Sequence, residues 1–136
     1  MRTQRSLVLR GVALLSLGLL AGCAVSAPVA RPADFPFHAV EPQFDIHWRL
    51  SPGPDVARAE GVVERRSRHI ASVWLQLVGL DATGHIMSFT TPIWVAWGSW
   101  SDSESFAIAL RPRGGEERFA VRVYAFEHEE GARTNR

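Results

Sequence analysis

The stretch Phe44-Asp45-Ile46-His47-Trp48-Arg49-Leu50 alternates apolar and polar side chains without a break. A period of two places Phe44, Ile46, Trp48 and Leu50 on one side of an extended chain and Asp45, His47 and Arg49 on the other. A helix would need a period near 3.6 instead. The segment therefore reads as a half-buried strand, and Ser51-Pro52-Gly53-Pro54 stops it.

The same alternation continues along the chain. Ala57, Ala59, Gly61 and Val63 share one face of VARAEGVVER. In IASVWLQLVGL, Val73, Leu75 and Leu77 face inward, with Trp74 and Gln76 outward. Asp81-Ala82-Thr83-Gly84 makes a turn into HIMSFTT, and an irregular stretch separates this from SFAIAL, where Phe106, Ile108 and Leu110 align. After a turn at Arg113-Gly114-Gly115-Glu116, RFAVRVYAFE sets Phe119, Val121, Val123 and Ala125 against Arg122 and Tyr124. Short strands broken by Gly, Pro and Asp turns, with no helix-period segment after the leader, predict an all-β antiparallel sandwich over 44–127. Residues 128–136 read as a flexible tail.

The totals narrow the function classes. The chain has 136 residues, which fits one domain. All fifteen basic residues are arginine, and three of them precede Cys23. From Cys23 onward twelve arginines meet fourteen acids, so the side chains carry about −2. Nucleic-acid binding wants a basic patch or stripe, and this balance supplies none. A single cysteine excludes an internal disulfide and a CxxC metal or redox motif.

That cysteine closes a leader. Arg2 and Arg5 open residues 1–22, an apolar run follows from Leu7 to Leu20, and the run ends in Leu20-Ala21-Gly22-Cys23. The apolar part is short and interrupted for a membrane-spanning helix, so it reads as a targeting segment. Leu20, Ala21, Gly22 and Cys23 resemble a bacterial lipobox. The resemblance implies that Cys23 becomes the lipid-modified first residue of the mature protein, anchored in membrane lipid. One acyl chain holds a protein only marginally, and such lipoproteins carry several on the cysteine. Ala24 stands where an Asp would favour inner-membrane retention, which points to the outer membrane. Residues 23–43 then form an Ala/Pro-rich tether, with Pro28, Pro32, Pro36 and Pro42 favouring extended backbone. Phe35 and Phe37 are unusual in a linker, and are expected to dock on the domain or begin its first strand.

Gly61-Val62-Val63-Glu64, Ile70 to Leu77, Leu80-Asp81-Ala82-Thr83-Gly84, the FAIAL strand and the closing RFAVRVY strand follow a known order. Together they resemble the small immunoglobulin-like domains of the FxLYD type found in bacterial lipoproteins. The likeness spans most of 56–126. The family's F-x-L-Y-D falls on Leu77-Val78-Gly79-Leu80-Asp81, where Asp81 alone matches. Glu64 or Arg65 replaces the Asn that often follows the G-x-V strand. The resemblance implies an immunoglobulin-like sandwich in the cell envelope, with no catalytic residues.

Catalytic and metal-binding patterns are sparse. The histidines at 38, 47, 69, 85 and 128 show no HxxxH or HExxH spacing, although a sandwich could bring two together. Asp102 and Glu104 fall short of a calcium cage. Ser99 lies in GSWSD, outside a GxSxG elbow. No catalytic residue, cofactor or metal site is assigned from sequence. The suggestive feature is IWVAWGSWSDSES, where Trp94, Trp97 and Trp100 recur every three residues. Exposed, they would form a patch for sugar rings or a protein partner. Turned inward, they would cap the core from a bent edge strand. The expectation is a lipid-anchored envelope protein that acts by non-catalytic binding or structural interaction, its contact an envelope protein or polymer. A carbohydrate-binding module using the three tryptophans is the alternative, and a free edge strand recruiting a partner is another route.

Overall fold

The structure is a computed structural model in which residues 30–51 and 53–129 are described. Leu20, Ala21, Gly22 and Cys23 lie outside the described residues. No helix among those described is long and apolar enough to cross a membrane.

After a short 3-10 turn at Pro32–Asp34, the elements are β1 (Phe37–Glu41), β2 (Phe44–Ser51), β3 (Ala57–Arg65), β4 (Ile70–Leu80), β5 (Ile86–Phe89), β6 (Ile93–Ala96), β7 (Ser103–Leu110) and β8 (Arg118–His128). They form two antiparallel sheets, the all-β sandwich that the period of two predicts. The first sheet has the order β1-β2-β3-β7. In the second, β4 is central: β5 and β6 pair along one edge and β8 along the other.

The opening stretch behaves as its pattern requires. Phe44, Ile46 and Trp48 are buried, while Arg49 is exposed. They meet Val73, Leu75 and Leu77 of β4, Phe106, Ile108 and Leu110 of β7 and Val121 of β8 in one core. Full burial of a side chain of this size contributes about 1.5–3 kcal/mol. Gly61 makes room for Trp48, its partner in the β2–β3 register. A Cβ there would sit 2.9 Å from Trp48 Cα and Cβ, and closer still to the His47 carbonyl.

Two boundaries differ from the sequence expectation. The strands begin before residue 44, because β1 pairs with β2 over Phe37–Glu41 and Phe35 is buried. The stretch expected to be tether up to residue 43 thus contributes an edge strand. Proline tolerates such an edge, and Pro36 and Pro42 sit just outside β1. At the other end β8 continues to His128, which pairs with Ile70 of β4, so the expected tail loses its first residue.

Candidate functional site

The outer faces of the two sheets differ in kind. On the first sheet, Asp45, His47 and Arg49 of β2 lie beside Arg58, Glu60 and Glu64 of β3. Arg66 donates from Nη2 to Asp45 Oδ1 at 2.9 Å and from Nε to Oδ2 at 3.0 Å. His38 and His47, opposite each other across β1 and β2, stack with centroids 4.1 Å apart and planes 5° from parallel. His38 Nε2 is 3.3 Å from Asp45 Oδ1, and His47 Nε2 is 3.7 Å from Glu64 Oε2. Burial, then the positive charge His38 can carry, lowers the pKa of His47 below its ordinary value, against the pull of Glu64 and Asp45. Sequence spacing hid this pair because β1 fell in the stretch read as tether. Among the described residues, no group of three or more His, Cys, Asp or Glu side chains is placed to hold a metal ion.

The outer face of the second sheet is aromatic. Trp74 of β4 stands in register with Trp94 of β6, so their Cβ atoms lie about 5 Å apart. On the other flank the β4–β8 pairing shifts between Trp74 and Leu75, which leaves Tyr124 as the extra residue of a bulge. Bulges re-aim side chains. Here Tyr124 joins Trp74, Ala125, Phe126 and Glu127 around a shallow depression of about 360 Å³. Trp94 is 62% exposed and Tyr124 61%. Phe89, opposite Val78, extends the apolar strip along the β5–β6 flank.

Polar pairs cross this face on both sides of the aromatic row. Ser72 Oγ donates to Glu127 Oε2 at 3.1 Å. Arg122 donates to Gln76 Oε1 from Nε at 2.9 Å and from Nη2 at 2.6 Å, and Gln76 Nε2 donates to the Thr90 carbonyl at 2.7 Å. The Arg122 fork is thus fixed by a neutral amide. No carboxylate among the described residues pairs with it.

The three tryptophans, which exposed would form one patch and turned inward would cap the core, are divided between those two outcomes. Trp94 lies on the outer aromatic face. Trp97 turns inward, stacks on Phe44 at 5.9 Å and packs against the core. Trp100 is 91% exposed in the loop before β7, beside Arg65 and Asp102. The strand geometry explains the split: Val95 faces Val73 in the core, so Trp94 must point out and Trp97 in. Trp74 and Tyr124 were not among the expected contacts. The outward place of Trp74 was legible from its alternation with Val73 and Leu75, whereas the bulge at Tyr124 has no sequence signal of that strength.

Other clusters serve the loops. Asp81 Oδ1 accepts from the Thr83 amide at 2.8 Å, the His85 amide at 2.9 Å and the Thr83 hydroxyl at 2.7 Å, while Gly84 takes φ 89° to close the turn. The hydroxyl of Thr83 and the carboxylate of Asp81 both approach Nδ1 of His85. A nucleophile–base–orienter relay needs the two ring nitrogens to serve different partners, so this is a turn lock. Asp102 accepts from Arg65 Nε and Arg68 Nη2, and holds no cation cage. No known protein family, curated protein or solved structure matches the chain.

Proposed function

We propose that this protein is a lipid-anchored bacterial envelope protein that acts without catalysis, binding an envelope polymer through the outer face of its second sheet. The observation that carries the reading is the in-register pair Trp74–Trp94, joined by bulged Tyr124, on an exposed sheet face. Sandwich sheets normally turn polar side chains to water, as the first sheet does here. An exposed aromatic row costs solvation in the free protein and gains it back when a ligand covers the rings.

The Leu20–Cys23 lipobox would place this face in the envelope, with Ala24 favouring the outer membrane. Pro32, the first residue of the first element, stands nine positions after Cys23, so chain length alone limits that span to about 30 Å. The domain would stay within reach of material close to its membrane. The FxLYD-type, immunoglobulin-like kinship belongs to the same proposal, supported by strand order in sequence and by the two-sheet architecture.

Retention on isolated peptidoglycan sacculi tests the reading. Trp94→Ala and Tyr124→Ala are expected to lower retention at least tenfold with the thermal midpoint little changed, while Trp100→Ala leaves retention as in the wild type. Equal loss in Trp100→Ala, or none in Trp94→Ala, would contradict it.

A further inference from the structure

Resting on that reading, the geometry points to a more specific ligand: we infer that the aromatic face takes an acidic polysaccharide, with a ring stacked on Trp74, Trp94 and Tyr124 and a carboxylate received by Arg122. Arg122 stands opposite Gln76, two residues along β4 from Trp74, so it lies one row, about 7 Å, beyond the aromatic row. Its fork is held in place by Gln76, which is itself fixed by the Thr90 carbonyl. The guanidinium is therefore oriented while its charge stays unmatched by any described carboxylate. A planar guanidinium recognises a carboxylate by parallel N–H donors, which gives both attraction and register.

The chemistry of the face chooses between occupants. A purely apolar protein surface laid across the rings would cover Arg122 without a counter-charge, which is strongly unfavourable. A hydroxylated acidic chain brings the missing charge and can set hydroxyls against exposed Glu127. Its ring faces, lined by C–H groups, suit the aromatic row. Glu127 sits on the far side of that row, bonded to Ser72, and gives the face a direction. The ligand carboxylate belongs at the Arg122 end, and hydroxyls or an amine at the Glu127 end.

Polygalacturonate, its fully methyl-esterified form and polyglutamate separate ring, charge and both together. With the full-length chain in detergent, polygalacturonate is expected to bind at least tenfold more tightly than the ester or polyglutamate. Arg122→Gln removes that preference, bringing acid binding down to the level of the ester. Arg122→Lys, which keeps the charge and loses the parallel donors, restores part of the preference, so loss in Gln alone reports charge rather than misfolding. Trp94→Ala lowers binding of acid and ester alike. Equal binding of acid and ester that Arg122→Gln does not alter would overturn the inference while leaving the polymer-binding reading standing. Polyglutamate binding as tightly as polygalacturonate would overturn it in favour of an acidic peptide, and absence of binding to polygalacturonate overturns it outright. The sacculus assay reads the broader proposal independently.

Discussion

The guanidinium of Arg65 lies over the ring of Trp97, 5.5 Å from its centroid, at the end of the core. From there Nη1 donates to the Ile70 carbonyl at 2.6 Å and Nη2 to the Ser101 carbonyl at 3.0 Å. The side chain is 4% exposed. One arginine thus ties β3 to the start of β4 and to the loop after β6, and it presses Trp97 onto Phe44.

Removing that fork takes the arginine donors from the Ile70 and Ser101 carbonyls and the cover from Trp97. Arg65→Met is expected to destabilise the domain by about 2–4 kcal/mol in urea unfolding. Arg65→Lys recovers little of it, because a single ammonium cannot span both carbonyls. A loss under about 0.5 kcal/mol would mean that the fork is dispensable.

The close approach at Gly61 gives a second stability prediction. Gly61→Ala drives a methyl against the His47 carbonyl and Trp48, within a paired strand that cannot move alone. A cost of about 1–3 kcal/mol is expected from overcrowding, read as a lower urea midpoint with an unchanged slope. An unchanged midpoint would show that β2 and β3 can separate locally.

Acid should weaken the fold in two steps. The folded-state pKa of His47 is lowered from 6.5, so the unfolded chain takes up its proton first. The corresponding stability is present above pH 6.5 and is lost as pH falls through the folded value. The second step comes from Asp81 and Glu116, each held down to about 2, the first mainly by the Thr83 hydroxyl and the second mainly by that of Ser88. Their contribution is present above the ordinary carboxylate values of 3.8 and 4.5 and disappears as pH falls towards 2. Thermal midpoints across pH 2–8 should show both steps, His47→Gln flattening the first and Asp81→Asn or Glu116→Gln reducing the second. A first step that survives His47→Gln would assign it elsewhere.

The strands and their inward faces were legible in the sequence because one buried face forces a period of two, and the core residues of β2, β3, β4 and β7 lie where that period puts them. Edge β1 was less legible: within Phe37–Glu41 only Phe37, stacked on Trp48, and Ala39 reach the core, so two aromatic or apolar positions carry the signal that Phe37 alone had suggested. The candidate site was half legible. Trp74 and Trp94 carry the outward sign of their strands, but their meeting depends on β4–β6 register, and Tyr124 on a bulge. Arg65 was hidden because a charged side chain at a core-facing position looks like the end of a strand until its carbonyl partners are placed.

Anchoring is tested by intact mass and membrane fractionation in a bacterial host. The wild type is expected to begin at Cys23, carry added lipid mass and sediment with membranes. Cys23→Ala should lose both the lipid mass and the membrane association. An unmodified or uncleaved wild type would contradict the proposed anchor.

Hydroxyl-radical footprinting of the full-length protein with and without sacculi tests the central claim most directly, since it reports which face is covered. The account predicts protection of Trp74, Trp94 and Tyr124, with Trp100 and the His38–His47 pair as reactive as in the free protein. Protection centred on Trp100 or on the charged face of the first sheet, with the aromatic row unchanged, would contradict it.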